Sequence, residues 1–319
     1  MKTRALFVDD EPLVLSGLRR LLRGLRHDWE MNFATSGPEA LLLLEEQEFT
    51  VIVSDMRMPG MDGAALLNEV AMRHPAVARL VLSGHAELDA ILRAVRPAHQ
   101  FLAKPCDPKL LERALERIRQ TRLDEQQRAI CMKLGAHRRL PSPRAKIAQL
   151  RTALGAPTVD IEHVGDIVSA DIGMSLQVLR LVNGAFFGPP TRTLDPRRAV
   201  SILGADIMRR LLVDVELFRG VECSCEQDDV SVVEVNRRVA DLMGAVETSG
   251  DACDNGINAK TLAMMLHTGA LAAIDIPEEL DDQGERALGT LLLAYWGLDL
   301  EIADPRSEAW SPVAEVGGA

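Results

Sequence analysis

The sequence predicts an α/β doubly wound parallel sheet of five strands, followed by an all-α helical domain. Over the first 120 residues, short apolar runs alternate with amphipathic helical patterns, and this alternation is typical of a parallel sheet covered on both faces. After about residue 134, strand alternation is no longer visible and helix signals follow one another. A chain of 319 residues is also long enough to build two separate cores.

The individual elements follow from local patterns. Helices are predicted over Leu13–Leu25, from its leucine face, and over Pro38–Glu46, with Ser36 or Gly37 as its cap. Asp107-Pro108 repeats the same start signal for a last helix of this part. The five predicted strands are Arg4–Val8, Glu30–Ala34, Thr50–Ser54, Arg79–Leu82 and Gln100–Ala103.

The helical pattern that starts at Asp107 can run on to about Leu134. Residues 121–135 therefore form either a helical connector that transmits a signal or a solvated linker helix. The predicted organisation is a first domain at 1–120, this linker at 121–135, a helical domain at 136–300 and a partly disordered tail at 301–319.

Chemically active side chains follow four of the predicted strands: Asp9 and Asp10, Asp55, Ser83, and Lys104. Parallel strands end at one edge of the sheet, so these side chains should meet there. Three carboxylates in one crevice repel each other unless a cation lies among them, and an oxygen-only ligand set favours Mg²⁺. With the metal and a lysine to neutralise charge, one carboxylate can attack a phosphoryl group.

Four motifs at these positions resemble the receiver domain of two-component response regulators: FVDDEP at 7–12, VSDMRMPGMDG at 53–63, VLSG at 81–84 and FLAKP at 101–105. The resemblance covers about residues 1–120. It implies that Asp55 accepts a phosphoryl group from a sensor histidine kinase. It also implies that Mg²⁺ is held by Asp9, Asp10, Asp55 and the backbone carbonyl of Arg57.

The same resemblance implies that Ser83 and Lys104 sense the phosphate. Phe101 matches the aromatic residue that turns inward in this family when the hydroxyl residue moves. An ordinary core phenylalanine is an equally good interpretation of Phe101.

The second half carries further helix signals, among them the cap Asp195-Pro196 and a helix end at Gly204. LPSP at 140–143, DIGMSLQVLRLVNGAFFG at 171–188 and RRAVSILGADIMRRL at 197–211 resemble the HDOD domain. That family is related to HD-type phosphohydrolases but lacks their full set of metal ligands. Asn183-Gly184 stands where the family usually has Asn-Ser.

A catalytic site in the helical domain is not expected. LHTGALA at 266–272 resembles the LHDIGK signature of HD-type hydrolases, with Thr268 in place of the metal-binding Asp. The histidines of this half are His137, His163 and His267, too few for the known metal sites. We therefore expect a non-catalytic output domain, the alternative being a receiver-regulated phosphodiesterase for cyclic di-GMP.

Charge and hydropathy limit the partners. Residues 1–133 carry 19 basic and 19 acidic side chains, whereas 134–319 carry 17 and 28, so nucleic-acid binding is not expected from the acidic helical domain. The sequence shows no signal peptide and no long apolar stretch, and we expect a cytoplasmic protein without membrane contact. Its expected partners are the kinase and an unidentified downstream protein, with a homodimer left open.

Overall fold

The structure is a computed structural model that describes residues 3–84, 88–120, 140–187, 193–220, 232–237 and 282–298. The predicted linker at 121–135 and the predicted tail at 301–319 lie outside these ranges, as do Thr268, His137 and His267. Within the described ranges no helix is long and apolar enough to cross a membrane.

The first part contains the predicted five-stranded sheet, in the order β2-β1-β3-β4-β5. Every neighbouring pair is parallel, so all five strands end at one edge, as the prediction required. The strands are β1 (Thr3–Val8), β2 (Trp29–Ala34), β3 (Val51–Asp55), β4 (Ala78–Ser83) and β5 (Gln100–Ala103).

In the described part of this half, five α-helices connect and follow these strands: α1 (Pro12–Leu21), α2 (Gly37–Glu46), α3 (Gly63–Arg73), α4 (Leu88–Val95) and α5 (Pro108–Gln120). Ser36 caps α2 and Asp62 caps α3 through their side-chain oxygens. The single helix predicted over Leu13–Leu25 was wrong in its last turn, where Leu22–His27 form a 3₁₀ helix. Gly24 lies in that segment, and glycine is a poor α-helix former.

The sheet separates two apolar clusters, because alternate residues of each strand point to opposite faces. Leu6, Ile52 and Val81 belong to one cluster and Phe7, Val53 and Leu80 to the other. The first cluster continues without interruption into the helical domain, and the second includes Leu291 and Tyr295 from the described C-terminal helix.

The helical domain contains α6 (Arg144–Gly155), α7 (Ile161–Ser169), α8 (Ile172–Val182), α9 (Pro196–Val213), a helical segment at 232–237 and α10 (Asp282–Tyr295). Asp160, Asp171 and Asp195 cap α7, α8 and α9 with side-chain oxygens. The helical character was predicted correctly. One detail was not, since Pro141–Ser142 and Arg219–Gly220 pair as a short parallel ladder, β6 and β7.

Gly204 has a φ of +73° and breaks the helical geometry inside α9. The sequence predicted a helix end at this glycine, and the positive φ there agrees with the reason for that prediction, since glycine adopts such values without a steric penalty. The chain resumes a helical path directly afterwards, so α9 is a kinked pair of helical segments.

Candidate functional site

The predicted site lies at the carboxyl edge of the sheet. Asp9 directly follows β1, Asp55 is the last residue of β3, and Lys104 directly follows β5. Asp9 and Asp55 are both buried, and the adjacent Asp10 is half-buried. Parallel pairing of β1 with β3 brings the two aspartates to the same level of the edge.

Lys104 joins the two buried carboxylates. Its Nζ donates to Asp9 Oδ2 at 2.6 Å and also to Asp55 Oδ1. Burial opposes the charged ammonium, but the hydrogen bonds to Asp55 and Asp9 outweigh it and raise the pKa of Lys104. The lysine therefore stays protonated and carries the positive charge of the site.

The second oxygen of each carboxylate is held by the backbone. The N–H of Glu11 donates to Asp9 Oδ1 at 3.0 Å, and the N–H of Arg57 donates to Asp55 Oδ2 at 2.6 Å. Both carboxyl groups thus have a fixed orientation. The bond to Arg57 also places that residue's main chain beside Asp55, while the role of its carbonyl as a metal ligand stays a prediction.

Oxygen donors of this kind suit a hard cation such as Mg²⁺. Among the described residues, no group of three or more His, Cys, Asp or Glu side chains is arranged as a metal site. The oxygen donors of Asp9, Asp10 and Asp55 nevertheless have the chemistry that the predicted metal needs.

Gly63 supports the site and was not singled out from the sequence. A Cβ at this position would lie 2.1 Å from the carbonyl oxygen of Asp55 and 3.1 Å from the Cα of Met56. The Gly63 N–H also donates to the Met56 carbonyl at 2.9 Å. Only glycine allows the start of α3 to lie this close to the end of β3. Gly63 is therefore the residue of the motif that permits the observed position of Asp55.

The two remaining predicted residues of this half lie on the neighbouring strands. Ser83 ends β4 and pairs with Ala103, the residue before Lys104. The side chain of Ser83 lies outside the described part of the structure. Phe101 lies in β5, is buried, and packs edge-on against Phe186 of the helical domain with ring centroids 5.7 Å apart. The sensing role of Ser83 and the switch role of Phe101 stay predictions.

In the helical domain, His163 is exposed on α7. No group of suitable metal ligands that includes His163 occurs in the described part of the chain. The LHTGALA segment lies outside that part, so the missing-ligand prediction stays a prediction.

Among the described residues of this domain, Asp171 has the most buried carboxyl group. Its side chain accepts hydrogen bonds from Ser142 at 2.6 Å, from the Met174 N–H and from Asn236. Burial raises the pKa of Asp171, and these hydrogen bonds act in the opposite direction. The network ties β6, α8 and the segment at 232–237 together, which indicates a structural function.

A parallel five-stranded sheet with an aspartate–lysine site at its carboxyl edge, joined to a helical domain, defines a signalling protein with a receiver. Residues 5–116 match the family model of the response regulator receiver domain, and residues 140–246 match that of the HDOD domain. The chain is therefore a two-domain response regulator, with a receiver domain followed by an HDOD domain, as the sequence predicted.

Curated relatives include the DNA-binding transcriptional regulator NtrC of Salmonella typhimurium, 36% identical over 113 residues, which are 34% of this chain and 24% of the relative. The hydrogenase transcriptional regulatory protein HoxA of Cupriavidus necator is 37% identical over 105 residues, 32% of this chain and 21% of the relative. The chain thus spans less than a quarter of the length of these relatives. Among solved structures, the signal receiver domain of an HD domain-containing protein from Pseudomonas fluorescens has 29% identity and a TM-score of 0.36, covering 40% of this chain and 99% of that one.

Proposed function

We propose that this protein is phosphorylated on Asp55 by a sensor histidine kinase and signals through its HDOD domain, which binds a downstream protein and catalyses no reaction. The observation that carries the proposal is the Lys104 ammonium bound to both Asp9 and Asp55 at the carboxyl edge of the sheet. Such an arrangement gives one carboxylate the orientation and charge balance that a nucleophile for phosphoryl transfer needs.

Each side chain has a definite task in this reaction. An Asp55 carboxylate oxygen forms a bond to phosphorus while the bond from phosphorus to the histidine nitrogen of the kinase breaks. Asp9, Asp10, Asp55 and the Arg57 carbonyl would hold Mg²⁺, which neutralises the charge on the phosphoryl oxygens. Lys104 and the Ser83 hydroxyl then bind phosphoryl oxygens, so that Lys104 exchanges its two present carboxylate partners for the new anion.

Phosphate-affinity electrophoresis tests the first half of the proposal. The full chain is incubated with acetyl phosphate and Mg²⁺, beside Asp55→Asn and the matched control Asp28→Asn, which removes an exposed carboxylate of the same domain. We expect a retarded band for the wild type and for Asp28→Asn, and none for Asp55→Asn. An equally retarded Asp55→Asn band would refute Asp55 as the acceptor.

The output half has its own test. The full chain is mixed with cyclic di-GMP in the presence of Mn²⁺ or Fe²⁺, with and without acetyl phosphate, and the nucleotides are separated by chromatography. We expect the cyclic dinucleotide to stay intact. Turnover that follows the phosphorylation state would establish the phosphodiesterase alternative instead.

A further inference from the structure

A cavity of about 350 Å³ lies in the helical domain, between α6 and the chain segment that follows α9. Its volume is within the range of about 300–1,000 Å³ that is usual for small-molecule sites. The residues that line it all belong to the helical domain, and none lies at the carboxyl edge of the receiver sheet. A ligand bound here would therefore be distinct from the phosphoryl group proposed for Asp55.

One wall of the cavity is a single face of α6. Arg144, Ile147 and Arg151 line this wall, and their spacing of three and four residues places them on the same side of the helix. The two arginines are exposed and Ile147 is half-buried. With a rise of about 1.5 Å per residue, the two arginines are attached about 10 Å apart along the helix axis. The wall thus has an apolar side chain between two cationic ones.

The opposite wall consists of apolar side chains from the end of α9 and the segment after it. Leu212 lies in the last turn of α9 and Phe218 directly precedes β7, and both side chains are buried. Gly220 lies against the start of α6, because a Cβ there would be 3.4 Å from the Arg144 Cγ and 3.6 Å from the Ile147 Cδ1. The interior of the cavity is therefore apolar, which favours a ligand with a hydrocarbon body.

Glu216, the third charged residue of the lining, has a strained backbone. Its φ is +50°, in the left-handed region that glycine adopts without a steric penalty. The turn around it is closed by the Leu217 N–H, which donates to the Leu211 carbonyl at 2.8 Å. Strain of this kind is frequent at ligand sites. A glutamate here is explained by its side chain, which lines the cavity, because glycine would fit the backbone better.

The charge of the lining favours one type of ligand. Two arginines and one glutamate give a formal charge of +1, which a single carboxylate balances. A phosphate monoester carries about −1.5 to −2 at pH 7, so it would exceed this charge and repel Glu216. A guanidinium group also matches the geometry of a carboxylate, to which it can donate two parallel hydrogen bonds.

We propose that this cavity binds a small apolar carboxylate, of the aromatic or branched-chain class. Arg151, at the end of the α6 wall remote from Gly220, binds the carboxylate. The hydrocarbon body packs against Ile147, Leu212 and Phe218. Glu216 sets the preference for a single negative charge. The site gives the helical domain a small-molecule input of its own, and it does not depend on phosphorylation of the receiver.

Isothermal titration calorimetry of the full chain tests the site with phenylacetate as the probe. We expect saturable binding of one molecule per chain and much weaker binding of phenylacetamide, which has the same shape but no charge. Arg151→Met keeps the aliphatic stem and removes the cation, so it should weaken binding at least about tenfold, as for the loss of one hydrogen bond to a charged group. Arg198→Met removes an exposed arginine of α9 outside the cavity and should bind as the wild type does.

Glu216→Gly provides a second variant, which removes the strain together with the negative charge. Its affinity for phenyl phosphate relative to phenylacetate should rise at least about fivefold, because the second charge of the phosphate no longer lies beside a carboxylate. An unchanged preference would overturn the part assigned to Glu216. Equal phenylacetate affinity of the wild type and Arg151→Met would overturn the site, as would the absence of saturable binding of both phenylacetate and isovalerate at millimolar concentrations.

Discussion

Replacing Gly63 with alanine should damage both the stability and the chemistry of the receiver. The new Cβ would lie 2.1 Å from the Asp55 carbonyl oxygen and 3.0 Å from its carbonyl carbon. Both contacts are to backbone atoms, which cannot rotate away, so β3 and the start of α3 must separate by roughly 1 Å to restore van der Waals distances. We expect a cost of about 3 kcal/mol, at the upper end of the range for overpacking.

Urea unfolding followed by circular dichroism measures this cost. With an m-value of about 3 kcal/mol per M, the midpoint should fall by about 1 M. Gly17→Ala is the control, because Gly17 lies in α1 and a Cβ there meets no atom within 4 Å. Removing a glycine from a helix interior should stabilise the protein by about 0.5–1 kcal/mol.

The reasoning also requires a functional effect, since the displaced backbone carries Asp55. Acetyl phosphate should therefore phosphorylate Gly63→Ala more slowly than Gly17→Ala under identical conditions. A Gly63→Ala protein with the wild-type urea midpoint and phosphorylation rate would refute the close packing of α3 on β3.

Three further outcomes can be checked by unfolding experiments. The pKa of Asp171 is raised in the folded protein, so the stabilisation that its carboxyl group provides is present below about its ordinary pKa of 3.8 and is lost as the pH rises through the folded pKa. From pH 4 upwards, the urea midpoint of the wild type should therefore decline relative to that of Asp171→Asn. A constant difference between the two midpoints would contradict this. Asp195→Ala removes the cap that accepts from the Arg197 N–H at 2.9 Å and should cost about 1 kcal/mol, whereas Asp206→Ala, at an exposed position of the same helix, should cost less. Tyr295→Phe removes the hydrogen bond to the Ala76 carbonyl, 2.9 Å long, and should destabilise the protein by about 1 kcal/mol; an unchanged thermal midpoint would show that this bond across the domains contributes nothing.

The receiver half was predictable because its signals are local. Strand-like runs and turn residues predicted Gln100–Ala103 with the bounds that the structure shows. They predicted each of the other four strands to within one residue at either end. The meeting of Asp9, Asp55 and Lys104 then follows from one topological rule, that parallel strands end together. The 3₁₀ segment at Leu22–His27 was missed because leucine spacing does not distinguish a tight helix from a regular one.

The interface between the domains was not predictable in the same way. Arg180 is a lone charge on a helix whose residues are all buried, which signals an unusual environment but not its partner. That partner is a pair of backbone carbonyls, that of Val95 at the end of α4 and that of Ala98 beyond it, and backbone carbonyls carry no side-chain signature. Gln100 and Phe101 had strand-like neighbours on both sides, and nothing in the local pattern shows that a second domain covers them.

The apolar core that the two domains share has a consequence for how the protein folds during its synthesis. Leu291 and Tyr295 complete the cluster around Trp29 and Leu115, yet they are synthesised long after the receiver has left the ribosome. Domains generally fold as they emerge, the N-terminal one first. The newly made receiver therefore folds before Leu291 and Tyr295 are available, so its cluster around Trp29 and Leu115 stays incomplete until α10 is synthesised.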